Sequence, residues 1–245
     1  MSASSNELPA SAEVVIVGGG VIGTSIAFHL AEAGVGEVVL LERDALASGS
    51  TSRAAGGIRA QFSDPLNIVI ALRSLEAFDD FARRPGAEID LHKVGYLFLL
   101  DRDEDVAVFS ASVALQNAHG VPSRLLTPTE AKQLSPLAGI EGVLAASYCP
   151  LDGHASPEAV VLGYAAGARA LGATVVTNCE LTGIGLDGGE VRTLETSRGV
   201  IETGTVVCAA GVWSPARTPN TAAWATSSGR AASSWSRNTR ASCLL

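Results

Sequence analysis

The feature that most constrains this chain is a set of glycines at 18, 19, 20 and 23, placed between a β-branched stretch and an apolar helical one. Residues 13–17 (EVVIV) read as a strand buried on both faces of a parallel sheet. Residues 21–33 read as a helix, and Gly34 is placed to end it. Residues 37–41 (EVVLL) read as a second buried strand that closes at Glu42. Strand, turn, helix and strand make a βαβ unit of about 30 residues. The turn fits G-x-G-x-x-G: Gly18 permits the tight bend, Gly20 lets backbone approach a diphosphate, and Gly23 lets helix and strand pack closely. The N–H groups of Val21 and Ile22 then lie at the positive end of the helix, where an anion is favoured. Glu42 stands where it can accept hydrogen bonds from ribose hydroxyls. A tight turn without ligand and a solvated strand end are the bland alternatives. The sequence context favours a dinucleotide.

Composition narrows the class. With 17 basic and 25 acidic residues the formal charge is -8, which argues against nucleic acid as the main partner. Hydrophobic residues make up 47% of the chain and charged ones 17%, enough apolar content for a core. The apolar run over 14–33 carries four glycines, His29 and Glu32, so it reads as two elements and not as a membrane span. Cys149, Cys179, Cys208 and Cys243 lack C-x-x-C spacing, so neither a metal site nor a redox dithiol is expected. They read as buried, reduced thiols of a cytoplasmic protein. Residues 1–11 read as a polar, frayed terminus.

Beyond Glu42, residues 44–57 form a loop of Ser, Ala and Gly. A plain NAD-binding domain would continue into another helix and parallel strand, so this loop disfavours an NAD enzyme. Its small residues would let a large planar cofactor approach the backbone; a flexible surface loop is the plain alternative. Residues 66–84 have helical spacing and stop at Pro85-Gly86. A strand over 94–100, a helix over 103–119 and a helix start at Thr127 follow. Ser156-Pro157-Glu158 opens a helix that runs to Leu171. A strand over 173–177, antiparallel strands over 180–201 turning at Asp187-Gly188-Gly189, and a buried strand over 205–209 complete the pattern.

Three stretches together, VVIVGGGVIGTSIAFHLAEAG, VVLLERD and SGSTSRAAGGIRAQFS, resemble the FAD-dependent amine and amino-acid oxidoreductases of the D-amino-acid oxidase superfamily. The branch they look most like is the sarcosine oxidase beta-subunit and dimethylglycine dehydrogenase type. The resemblance resumes at Asp152-Gly153-His154 with Pro157, at NCELTGI and at VVCAAGVWSP, and covers most of residues 12–215. It implies an α/β fold: a discontinuous Rossmann-like FAD domain over 12–85 and 146–215, with an incomplete antiparallel α+β substrate domain inserted at 86–145. Gly18, Gly20, Val21, Ile22, Gly23, Glu42 and Arg43 match the ADP-binding part of such enzymes. Ser50, Thr51, Ala55, Gly56 and Gly57 match the loop that passes the diphosphate and the flavin ring. Leu181 matches an apolar residue whose backbone meets the adenine, and Ala210, Gly211 and Trp213 match the segment returning to the cofactor. Arg53 stands where some relatives carry the histidine that bonds covalently to the flavin, which implies non-covalent FAD. Arg59 is placed like an arginine that grips a substrate carboxylate; a surface arginine is the alternative. His154 reads as a cleft-wall or structural histidine and not as a base, and no catalytic acid or base stands out. The implied reaction is oxidation of the C–N bond of a small amine or amino acid, with an electron acceptor the sequence does not specify.

From 216 to 245 the composition shifts to Ala, Ser, Thr and Arg with Trp224 and Trp235, and with no Asp, Glu, Val or Ile. The resemblance stops at about Pro215, where such families continue. This predicts an aberrant or disordered tail on a truncated chain with weak FAD binding and no useful turnover. A non-catalytic dinucleotide-binding fragment is therefore the alternative function.

Overall fold

Four aliphatic residues make each of the first two strands, β1 (Val14–Val17) and β2 (Val38–Leu41), and all eight are buried. Between them runs α1 (Val21–Glu32), which Gly34 ends at a φ of +84°. The computed structural model describes residues 6–217. In chain order the next elements are β3 (Gly57–Ile58), α2 (Pro65–Asp79), β4 (Tyr96–Leu100), α3 (Asp103–Ala118), β5 (Arg124–Leu126), α4 (Pro128–Leu134), β6 (Ala145–Cys149) and β7 (Gly153–His154). Then come α5 (Pro157–Ala170), β8 (Thr174–Val176), β9 (Leu181–Asp187), β10 (Glu190–Thr196), β11 (Gly199–Glu202) and β12 (Val206–Cys208). The fold is mixed α/β, with a parallel sheet and antiparallel sheets.

Among the described residues the elements fall into two units, one within residues 6–54, 83–87 and 157–217, the other of residues 55–82 and 88–156. The first unit holds a parallel sheet in the order β12-β1-β2-β8. Helices α1 and α5 pack together there. A Cβ at Gly167 would stand 2.6 Å from Pro85 and 3.0 Å from the Phe28 ring, so glycine lets these elements come close. An antiparallel meander, β9-β10-β11, turns through Gly188 and Gly189 at φ of +59° and +86°. Val15, Val17, Val39, Leu41 and Val176 of the parallel sheet share a core with Leu181, Leu194 and Ile201 of the meander.

The second unit is built on an antiparallel sheet in the order β4-β6-β5 and a short antiparallel pair, β3 with β7. Asp64 caps α2 by accepting from the Asn67 N–H at 3.0 Å. Thr127 and Glu130 form a reciprocal capping box on α4.

The structure differs from the sequence reading in four places. The two units divide at 54/55 and 156/157, not at 85/86 and 145/146. Gly57 pairs with His154 and Ser156 donates to the Ile89 carbonyl, which ties both segments to the second unit. Helix α2 ends at Asp79, short of Pro85, because Asp80 leaves helical geometry (φ -95°, ψ 5°) and Phe81 turns inward to 1% exposure. Strands β5 and β6 have no counterpart in the sequence reading: their Arg, Ala and Ser content carries no strand signature, and pairing of β6 with β4 and β5 makes them strands. Residues 6–11 are held rather than frayed. Asn6 Oδ1 accepts from the Thr177 N–H at 2.8 Å, and Leu8 packs on the core of the first unit. The composition shift after 215 falls almost wholly outside the described residues.

Candidate cofactor site

At the carboxyl end of β1 the chain makes its tight bend. Gly18 sits at a φ of +115°, and a Cβ there would stand 2.5 Å from the Ala209 carbonyl oxygen. A Cβ on Gly23 would overlap the Gly18 carbonyl oxygen, so α1 lies against the turn at glycine-only distance. Gly19 approaches Glu42 as closely: a Cβ would stand 2.7 Å from the Glu42 Cβ and from a Leu46 methyl.

The first turn of α1 is dressed for an anion. Its N-cap is Gly20, in extended backbone (φ -83°, ψ -175°), with no side-chain cap and no acidic residue in the first turn. The leading N–H groups of a helix have no intrahelical acceptor. Val21 N–H reaches the Thr51 hydroxyl at 3.3 Å, and the first helical bond is from Thr24 N–H to Gly20 O at 3.0 Å. Ile22 stands 52% exposed at this turn. A Cβ on Gly20 would come to 3.2 Å from Thr51 Oγ1, so the glycine leaves room beside that hydroxyl. These observations fit the diphosphate of a dinucleotide: leading N–H groups at a positive helix end, with no side-chain cap and no acidic residue in the first turn.

Glu42 has a role the sequence did not reveal. Its Oε2 accepts from the Gly19 N–H at 2.6 Å and its Oε1 from the Asp44 N–H at 2.9 Å. Arg43 pairs with Asp44 at 3.0 Å and lays its guanidinium 4.8 Å from the centre of the Trp213 ring. Trp213 lies on Gly49, where a Cβ would meet its ring at 3.1 Å. Ser50 opens a single 3₁₀ turn, Thr51–Arg53, with Thr51 buried and Arg53 exposed. Gly211 takes a φ of +56°, and Trp213 N–H donates to Ala210 O at 3.1 Å. The Leu181 side chain is 4% exposed in the core, and Cys179 N–H, two residues earlier, donates to Glu42 O at 2.9 Å.

The first unit thus gathers Gly18, Gly20, Val21, Ile22, Gly23, Glu42, Arg43, Ser50, Thr51, Ala210, Gly211 and Trp213 in one run of contacts and chain neighbours. Leu181 joins them through the main chain. Ala55, Gly56, Gly57 and Arg59 belong to the second unit.

In that second unit Gly56 has a φ of +76°, and Gly57 lies 3.7 Å, by its would-be Cβ, from the Tyr96 ring. Arg59 is exposed, with its guanidinium 5.1 Å from the Phe62 ring centre and 5.6 Å from that of Phe98. No carboxylate among the described residues forms an ion pair with it. Beneath it lies a buried polar group that sequence reasoning missed. Asp152, at 0% exposure, accepts from Ala60 N–H at 2.7 Å and from Gln61 Nε2 at 3.0 Å. Gln61 Nε2 also donates to Tyr96 O at 3.0 Å, and its Oε1 accepts from the Ser147 hydroxyl at 2.6 Å. Burial raises the pKa of Asp152 above its ordinary value, opposed by the Ala60 and Gln61 donors, Cys149 and the Arg59 charge. Burial, and then the Asp152 charge, push the neighbouring Cys149 thiol up to about 11, so it is no nucleophile. The His154 ring lies tilted by 39° against that of His92 with centres 5.1 Å apart, and His92 Nε2 lies 2.8 Å from Asp90 Oδ1.

Among the described residues no group of three or more His, Cys, Asp or Glu is arranged to hold a metal ion. No helix there is long and apolar enough to cross a membrane. Cys149 and Cys179 are buried free thiols and Cys208 is half-buried; Cys243 lies outside the described residues.

Comparison with known proteins points to one family. A family model described as FAD dependent oxidoreductase matches residues 13–228. Mouse (Mus musculus) mitochondrial sarcosine dehydrogenase is 34% identical over 215 residues, which are 85% of this chain and 23% of that protein. Human (Homo sapiens) mitochondrial dimethylglycine dehydrogenase is 33% identical over 203 residues, 82% of this chain and 23% of that protein. The crystal structure of L-proline dehydrogenase from P. horikoshii superposes with a TM-score of 0.82 at 38% identity, covering 86% of this chain and 56% of that one. The chain therefore spans about a quarter of the length of these two curated relatives.

Proposed function

This chain belongs to the family of FAD-dependent oxidoreductases, and on that footing we propose that it binds FAD without a covalent link and takes part in oxidising the C–N bond of a small amine or amino acid. The observation that carries the reading is the uncapped, acid-free N-terminus of α1 against the glycine bend, with Glu42 oriented beside it. Gly18, Gly20, Val21, Ile22 and Gly23 would receive the diphosphate, and Glu42 the ribose hydroxyls. Arg43, Leu181, Ala210, Gly211 and Trp213 would line the ADP side, Ser50 and Thr51 the diphosphate loop, and Ala55, Gly56 and Gly57 the flavin side. Bound FAD supplies an acceptor for a hydride equivalent from the carbon next to nitrogen. This chain's own part is to bind and orient. Arg59 offers an exposed guanidinium without an acidic partner, suited to the carboxylate of a sarcosine- or dimethylglycine-like substrate. Arg53 stays protonated in proteins and has no free lone pair for a flavin bond, which supports non-covalent FAD. The thiols of Cys149 and Cys179 support a reducing, cytoplasmic setting.

The test is an absorbance scan of purified chain incubated with FAD and then desalted, followed by anaerobic addition of sarcosine or N,N-dimethylglycine. The sequence reading expected weak FAD binding and no turnover; because the glycine bend and the uncapped start of α1 are fully formed, the expected result is instead retained flavin bands that bleach with substrate. Retained bands without bleaching reduce the reading to cofactor binding, and their absence overturns it. Acid precipitation should release the flavin into the supernatant.

A further inference from the structure

The segment 58–62 is fixed on every side except at Arg59. Ahead of it, Gly57 and Ile58 pair with His154 and Gly153 of β7. After it, Ala60 N–H and the Gln61 amide are both taken by the Asp152 carboxylate, at 2.7 and 3.0 Å. The Phe62 carbonyl accepts from Gln116 Nε2 at 2.9 Å. Ile58, Ala60 and Gln61 are buried and Phe62 is half-buried, so Arg59 is the one exposed side chain of the five. Asp152 is itself held, because its carbonyl accepts from the Gly95 N–H at 2.8 Å. A buried carboxylate is costly unless its lone pairs are met by donors. Both donors it meets belong to the two residues that directly follow Arg59, so the carboxylate fixes the stretch from which Arg59 projects.

We propose that Asp152 is a positioning residue for Arg59: by holding Ala60 N–H and the Gln61 amide, it keeps the Arg59 guanidinium against Phe62 and Phe98, where it meets the carboxylate of an amino-acid substrate. This rests on the reading of Arg59 as the substrate's anion anchor. The Phe rings fix the plane of the guanidinium, and the Asp152 contacts fix the main chain from which it projects. A site loosened by an ångström loses much of its recognition.

The experiment uses the full chain incubated with FAD and two probes that differ in charge at one end, N,N-dimethylglycine and its neutral amide, N,N-dimethylglycinamide. Calorimetry gives the ratio of their affinities. General loosening of the fold weakens both probes and leaves the ratio alone, whereas misplacing Arg59 lowers the ratio. The parent should favour the carboxylate by roughly tenfold or more, as expected for a charge-assisted contact. Arg59→Met should bring the ratio close to one. Asp152→Ala should cut it at least roughly fivefold. Should Asp152→Ala fail to fold, Asp152→Asn carries the test. Its oxygen still receives Ala60 N–H, but its amide faces the Gln61 amide donor to donor, and the ratio should fall roughly threefold. An unchanged ratio in the folded Asp152 variants, with Arg59→Met collapsed, overturns the positioning role and leaves the Arg59 reading standing. A parent that does not favour the carboxylate, or an Arg59→Met chain that still does, overturns both.

Discussion

The two units reach precision by opposite means. The first is shaped by what is missing: side chains absent at 18, 19, 20 and 23 let backbone meet backbone, and the candidate diphosphate donors are main-chain N–H groups. The second is shaped by what is buried: a carboxylate, two amides and a hydroxyl under the exposed Arg59. Close approach tolerates no added atom, whereas a polar network tolerates no lost partner.

The sharpest way to break this contrast is to add atoms to the first unit. Gly23→Val should cost more than ~3 kcal/mol of stability, because even its Cβ overlaps the Gly18 carbonyl, and should abolish FAD retention. Denaturant unfolding and bound-flavin absorbance check this; a variant as stable as the parent would refute the steric account. Removing atoms from the second unit comes next. Asp152→Ala leaves Ala60 N–H and the Gln61 amide without an acceptor, for a loss of about 2–3 kcal/mol by chemical denaturation.

The same residue sets a pH dependence. Because its folded pKa is raised above the ordinary 3.8, the folded state holds its proton more tightly than the unfolded chain. Its contribution is fully present below pH 3.8 and is lost as pH rises through the folded pKa. Relative to Asp152→Asn, the parent should therefore lose stability over that window, and parallel pH–stability curves would remove Asp152 as the cause. Thr127→Ala, which deletes one half of the α4 capping box, should cost about 1 kcal/mol by thermal melting. Arg43→Ala should cost least, about 0.5 kcal/mol, and should alter Trp213 fluorescence as the cation leaves its ring.

What the sequence revealed follows the same divide. The glycine bend was legible because its signal is compressed into six residues between two periodic segments, and its geometry is as that spacing requires. The role of Glu42 was half legible. Its place at the strand end pointed to a ligand, but its bonds to Gly19 and Asp44 depend on how β1 and β2 lie side by side. Asp152 was noticed only as part of a resembling motif. Its partners lie 92 and 91 residues away, a separation no local pattern encodes. Strand β6 (AASYC) was invisible because small residues carry no strand preference, and its state is set by the neighbours on either side. Asn6 was discounted as part of a polar terminus, although one amide oxygen suffices to fasten it to Thr177.

The order of the parallel sheet has a consequence for how the chain is made. Strand β1 has β2 on one side within 24 residues, but its other neighbour, β12, is more than 190 residues later; β2 likewise waits for β8. During synthesis β1 and β2 are therefore only a two-stranded piece, too small to hold by itself. The second unit, complete by residue 156 apart from the short excursion at 83–87, has all its strands before either neighbour emerges. A ribosome thus delivers a foldable unit first and the closing strands of the glycine-rich one last. Chains stalled between 156 and 206 should be the ones that engage chaperones, with the glycine bend already made and no sheet yet to hold it.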